Sequence, residues 1–186
     1  RIITLALLAL AADAAGAADL AINGQFDSTL SGWQQAGEPL PIWSPLDVAG
    51  AAGSGSGQGA SSSLVVSERV FVLSQCIDNL VPSRYFLGAS GRALSGQAAG
   101  RVGVSFNGFA VGGCVGGGQF AAGRYFTPFD QWQRFTTKGP AGNFGNGTLG
   151  SIWVRLFVEK DVVGGTLVGN FDDVVVDRIL LEDGFE

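Results

Sequence analysis

The residues of this chain that could do chemistry are few, and most are carboxylates. Asp172 and Asp173 stand side by side in Gly169-Asn170-Phe171-Asp172-Asp173-Val174-Val175-Val176-Asp177. Near the other end, Asp27 closes the phrase Asn23-Gly24-Gln25-Phe26-Asp27. Adjacent carboxylates at the mouth of a β-branched run are costly unless they face water, cap backbone N–H groups or hold a hard cation such as calcium. The sequence contains no histidine. That excludes Ser-His-Asp and Cys-His nucleophile systems and any zinc or iron site that uses imidazole. Two cysteines cannot make a Cys₄ zinc site. Hydrolysis of glycosides by a carboxylate pair needs only two acids and stays chemically open, but Glu68, Asp130 and Glu159 are isolated acids that no motif unites.

The second chemical signal is aromatic and cationic. In Ser151-Ile152-Trp153-Val154-Arg155-Leu156-Phe157-Val158, strict alternation puts Ile152, Val154, Leu156 and Val158 on one face of a strand and Trp153, Arg155 and Phe157 on the other. The aliphatic face is core. In a two-layer β-domain the opposite face is usually solvated, so a Trp-Arg-Phe row there needs a reason. One is a platform on which sugar rings stack, with arginine supplying directed hydrogen bonds. The other is cover by a loop, a terminus or another chain. Arg101, in the period-two strand Arg101-Val102-Gly103-Val104-Ser105-Phe106, and Trp43, flanked by Pro39, Pro41 and Pro45 in a loop or edge segment, are further candidates to touch a ligand. Trp33, after a Ser-Gly pair, reads instead as a core plug.

Strands are what must position these residues. Besides the two above, Leu20–Ile22, Leu64–Ser67, Val70–Ile77, Arg84–Ser90, Gln131–Thr137 and the run closing at Asp177 read as strands. Asn107-Gly108 reads as a turn. The Gly/Ser/Ala-rich stretch from Ala49 to Ser63 reads as a flexible loop; it lacks the Lys-Ser/Thr of a phosphate-binding loop. Gly112–Gly118 is a second glycine-rich loop. With 30 glycines, no three-residue period and no sustained helical period, the pattern is that of an antiparallel sandwich or barrel.

Residues 1–17 read as an export signal: one Arg, an apolar run, and Ala15-Gly16-Ala17 as a cleavage site. The expected organisation is therefore a signal over 1–17, one β-domain over 18–181, and an acidic tail over 182–186. Such a chain is destined for the extracellular space or the periplasm. In that setting a disulfide between Cys76 and Cys114 is the expectation, two separately buried thiols being the alternative. A net charge of −5 disfavours nucleic acid and anionic membranes as partners. Asn146-Gly147-Thr148 is a glycosylation sequon.

Taken in order, these phrases resemble a known group. Asn23-Gly24-Gln25-Phe26-Asp27 with Ser31-Gly32-Trp33, then Ser74-Gln75-Cys76, Tyr85-Phe86-Leu87, the Val102/Val104/Phe106 strand, Cys114, Trp132 and Phe171-Asp172-Asp173-Val174 are similar to the succession found in carbohydrate-binding modules of the galactose-binding jelly-roll type. The resemblance implies a β-sandwich jelly roll of eight or nine strands. It also implies one structural calcium ion, carried over here to Asp27 and Asp172, with backbone oxygens near Gly59–Ser61. The function it implies is secreted, non-catalytic binding of a polysaccharide or surface glycan through Trp153, Arg155, Arg101 and Trp43. An extracellular adhesion or matrix protein of the same fold is the alternative, and a small glycan hydrolase or lyase the third reading.

Overall fold

A computed structural model describes residues 19–81, 84–117, 119–126, 129–138 and 149–179. The expected signal, the acidic tail and the sequon lie outside them. Among the described residues ten strands are formed: β1 (Gln34–Gln35), β2 (Ile42–Ser44), β3 (Ser56–Ser61), β4 (Arg69–Ile77), β5 (Arg84–Ala93), β6 (Gly100–Phe109), β7 (Gln119–Phe126), β8 (Gln133–Lys138), β9 (Ser151–Lys160) and β10 (Leu167–Ile179). They make two five-stranded antiparallel sheets, β1-β4-β9-β6-β7 in front and β2-β3-β10-β5-β8 behind. The fold is the all-β sandwich that the alternating strands predict.

The core lies between the sheets and follows the period of two. Val102, Val104 and Phe106 of β6 and Ile152, Val154, Leu156 and Val158 of β9 are buried. They share one cluster with Leu87, Ala89, Phe171, Val174 and Val176 of the back sheet. Trp33 belongs to it too, its indole N–H donating to the Asn23 carbonyl at 3.2 Å. Fully burying each such aliphatic side chain stabilises by about 1.5–3 kcal/mol.

The glycine-rich stretch contradicts its reading as a loop, because β3 runs through it. A β-carbon on Gly57 would lie 2.4 Å from Leu73, and one on Gly59 would lie 2.5 Å from Val72. These glycines are therefore interior positions where the facing sheet supplies the side-chain volume. The facing strand is adapted to match. β4 carries a register shift between Phe71 and Leu73, a bulge that sends both Val72 and Leu73 into the core. Arg69 and Phe71 before the bulge, and Ser74 and Cys76 after it, stay on the outer face.

Three other segments depart from expectation. Leu64–Ser67 is a turn, not a strand; Leu64, Val65 and Val66 are exposed. Asn107-Gly108 lies inside β6 and ends nothing, although the ladder to β7 slips there. Leu20–Ile22 does not form a strand, pairing being limited to a bridge between Asp19 and Asp177. The segment instead turns and is pinned by its peptides: Leu20 N–H donates to Val176 O at 2.8 Å and Val174 N–H to Gly24 O at 2.9 Å. A β-carbon on Gly24 would lie 1.9 Å from that Val174 oxygen, so only glycine fits. The buried Gln75 amide completes the clasp, bonding Ile22 N and O and Gly32 O within 2.9 Å.

Cys76 and Cys114 are joined in a disulfide with Cα atoms 5.9 Å apart. It ties the loop after β6 to β4, and Ser151 holds the same loop through its hydroxyl, which accepts from Cys114 N–H at 3.0 Å. No helix among the described residues is long and apolar enough to cross a membrane.

Candidate functional site

The outer face of the front sheet is built as four rungs across β4, β9 and β6. Their register sets Cys76, Trp153 and Asn107 side by side, then Ser74, Arg155 and Ser105, then Phe71, Phe157 and Gly103, then Arg69, Glu159 and Arg101. Along β9 this is the Trp-Arg-Phe row that alternation places opposite the core. The centre of the row is Arg155. Its guanidinium lies 4.0 Å from the Phe71 ring centroid and 4.6 Å from that of Trp153. Such cation–π contacts contribute roughly 0.5–2 kcal/mol each. Arg155 Nη2 donates to Asn107 Oδ1 at 2.9 Å, an oxygen that also accepts from Ser105 Oγ at 3.0 Å. Arg155 Nε is buried without a partner. Burial pushes the guanidinium below its ordinary pKa, and the charge of Arg69 adds to the effect.

The far rung is electrically closed. Buried Glu159 accepts from Arg69 Nε and Arg101 Nε, both at 3.0 Å, and Arg101 also bonds Asp161 at 2.9 Å. Arg69 stacks over Phe157, 5.1 Å from its centroid, and Phe71 meets the same ring edge-on at 5.9 Å. Phe157 is thereby fully buried. It supports the platform from below, while Trp153 and Phe71 remain half-exposed.

Of the four residues expected to touch a ligand, Trp153 and Arg155 stand together, and Arg101 lies two rungs away, engaged by two carboxylates. Trp43 is not brought to this face. It sits on the edge strand β2 of the back sheet, half-buried, with its indole N–H donating to Phe26 O at 2.7 Å. The prolines around it shape an edge strand, and its ring packs against the core. Phe71, Ser74 and Asn107 escaped the sequence reading. The β4 bulge breaks the alternation, so a strict period of two counted back from Cys76 and Ser74 puts Phe71 on the inward face, and Asn107 looked like half of a turn. The three isolated acids are also accounted for: Glu159 is locked between arginines, Glu68 accepts from the Ser63 hydroxyl, and Asp130 accepts from Ser95 N–H at 3.1 Å. Those Ser95 contacts hold the Asp130 carboxyl below its usual range, the opposite of what a general acid requires.

Asp172 occupies a different environment. It lies at a β10 bulge, fully buried, accepting from Val48 N–H at 2.9 Å and Asp173 N–H at 2.6 Å. Burial outweighs these bonds and pushes its pKa up to about 7; Asp47 and Asp27 push the same way. Asp173 turns outward instead. It accepts from Gln25 Nε2 at 2.8 Å, and Arg134 pairs with its carboxylate. Among the described residues no three carboxylates converge tightly enough to form a ligand cluster unaided. The contacts of Asp172 are N–H groups, while the carboxylates of Asp47 and Asp27 near this buried anion are the oxygen chemistry a hard cation takes. Asp47, which sequence reading passed over, is one of the acids that act on Asp172. Its signal was the Asp47-to-Gly50 turn, where its own carboxylate accepts from Ala49 and Ala51 N–H at 2.8 Å.

No family model matches the chain, and no curated protein matches it. Solved structures do. A CBM61 module in complex with β-1,4-galactotriose is 16% identical, covering 87% of this chain and 99% of its own, with a TM-score of 0.57. A candidate sugar-binding protein from Bacteroides thetaiotaomicron is 14% identical over 87% of this chain and 100% of its own, with a TM-score of 0.61. The xylan-binding domain of CBM22 is 12% identical over 89% and 96%, with a TM-score of 0.56. At these identities the likeness is one of fold, and the fold is the β-sandwich of carbohydrate-binding modules.

Proposed function

We propose that this is a secreted, non-catalytic carbohydrate-binding domain whose ligand lies on the outer face of the front sheet. The observation that carries the reading is the half-exposed Trp153-Arg155-Phe71 row on the central strands of a fold shared with sugar-binding modules. An apolar ring face meets one side of a pyranose, and Ser74, Asn107 and Gln34 around it offer the short polar side chains that hydroxyl groups need. Arg101 acts through Glu159, holding the far rung in place. The disulfide fits an oxidising compartment. The test is a glycan screen with the intact chain and Trp153→Ala. Loss of tenfold or more in affinity is expected, as for a truncated aromatic hot spot worth about 1.4 kcal/mol or more. Unchanged binding would move the site elsewhere. A blank screen with a stable oligomer in sedimentation would favour the adhesion or matrix reading.

The calcium ion belongs to the same proposal. Asp172, with Asp27 and Asp47 near it, would hold the ion. Its chemistry there would be neutralisation of a buried carboxylate, which tightens the clasp between the opening segment and β10. A melting temperature unchanged by a strong chelator would remove the ion from the account.

A further inference from the structure

We infer that the ligand of the Trp153-Arg155 face is an anionic glycan, and that Arg155 selects its negative group, a uronate carboxylate or a sulfate ester. The inference rests on the carbohydrate-binding reading and deepens it. Among the described residues, three guanidinium groups lie on this face, and two carboxylates answer them. Glu159 bridges Arg69 and Arg101, and Asp161 joins Arg101. Among the described residues, Arg155 has no carboxylate within ion-pair distance, which leaves one positive charge at the middle of the platform.

How this chain treats a purely structural buried cation is visible five residues further along β9. Lys160, fully buried at the end of β9, is met by the carbonyl oxygens of Ser63 and Gly165 at 2.8 and 2.7 Å. Arg155 receives one neutral acceptor, Asn107 Oδ1, and its Nε receives none. A guanidinium withdrawn from water needs more than this. Phe71 and Trp153 hold its plane and supply no counter-charge. A neutral sugar would add only hydroxyl contacts and leave the charge uncompensated. A carboxylate or sulfate brings both the missing charge and a pair of acceptor oxygens, which a guanidinium can engage bidentately. The ring faces beside it then carry the apolar side of the same or the adjacent sugar. The whole chain is acidic, at −5, so the attraction must come from this contact and not from a general field.

The test is calorimetric titration of the intact chain with two matched pairs: polygalacturonate against its fully methyl-esterified form, and a sulfated galactan against its desulfated form. Neutral β-1,4-galactan and xylan are the further arms. The acidic member of at least one pair is expected to bind about tenfold or more tighter than its neutral partner, and the pair that shows it identifies carboxylate or sulfate. The preference should vanish in Arg155→Gln and survive, weakened, in Arg155→Lys. On the wild-type chain, affinity for the acidic form should fall modestly with salt, as for one ion pair. Equal binding of acidic and neutral partners overturns the inference and leaves carbohydrate binding standing. Binding to none of the six glycans overturns both. If Arg155→Gln does not fold, the wild-type pairs and the salt titration still decide.

Discussion

Arg155 and Asp172 are both withdrawn from water and, among the described residues, without a salt-bridge partner, one on each sheet, and the fold handles them in opposite ways. Asp172 sits where the chain closes on itself, wrapped by peptide N–H groups of Val48 and Asp173 and faced by other acids. Arg155 lies on an open face, between two rings and one amide oxygen. A charge surrounded by backbone is built into the architecture, and altering it should alter folding. A charge sandwiched by side chains on a surface can change with little effect on folding and a large effect on what binds.

That contrast can be broken at four points. The largest effect expected is on the side of Arg155. Opening the Cys76–Cys114 bridge by paired Ser substitutions should cost about 4 kcal/mol in the chain-entropy picture for a separation of 38 residues. It should also loosen the loop beside Trp153; urea unfolding and glycan titration read the two effects separately. Next, Asp172→Asn should abolish a calcium-induced stabilisation of about 2.7 kcal/mol at a hundredfold excess of ion over its dissociation constant, seen as a melting temperature no longer raised by calcium.

Third comes the pH dependence of the calcium-free chain. The native pKa of Asp172, about 7, lies above the ordinary 3.8, so between those values the folded state holds the proton more tightly than the unfolded state. The contribution is complete below about pH 4 and is lost as pH rises through about 7. Melting temperature in chelator should fall over that interval. Asp172→Asn should flatten the slope, and a slope of the opposite sign would refute the assignment. The smallest effect should be that of Arg155→Met on stability, under about 1 kcal/mol, because the variant removes a cation whose partners are mostly rings. If Arg155→Met unfolds the chain while Asp172→Asn spares it in calcium, the contrast between the two charges is wrong.

The strands that carry the site were legible because their alternation is local. Ile152, Val154, Leu156 and Val158 announce a buried face, and Trp153 and Arg155 follow on the other. Arg101 was placed on the right face, but its engagement with Glu159 and Asp161 depends on register, which no single strand contains. β3 was illegible for a related reason. Gly57 and Gly59 carry no hydrophobic signal because Leu73 and Val72 of the other sheet fill their space. Leu64–Ser67 erred the opposite way: three aliphatic residues in a row met no facing layer and turned outward. The clasp of Asn23–Asp27 with Asp172–Val174 was foreshadowed only by the calcium ion that the resemblance shares between Asp27 and Asp172. Its dependence on the bare α-carbon of Gly24 follows only from the 1.9 Å approach of the Val174 oxygen.

The bulge in β4 and the missing side chain of Gly59 form a single packing unit. Val72 is an inserted residue whose side chain occupies the place that a β-carbon at position 59 would need. A lineage that acquires alanine or valine at 59 must therefore shed a residue at 72, or the reverse, and neither step alone passes through a well-packed intermediate. Such a pair should surface among related chains as a substitution correlated with a one-residue gap on another strand. Methods that compare only aligned columns discard that class of signal. The length of β4 is, in this sense, written in the composition of β3.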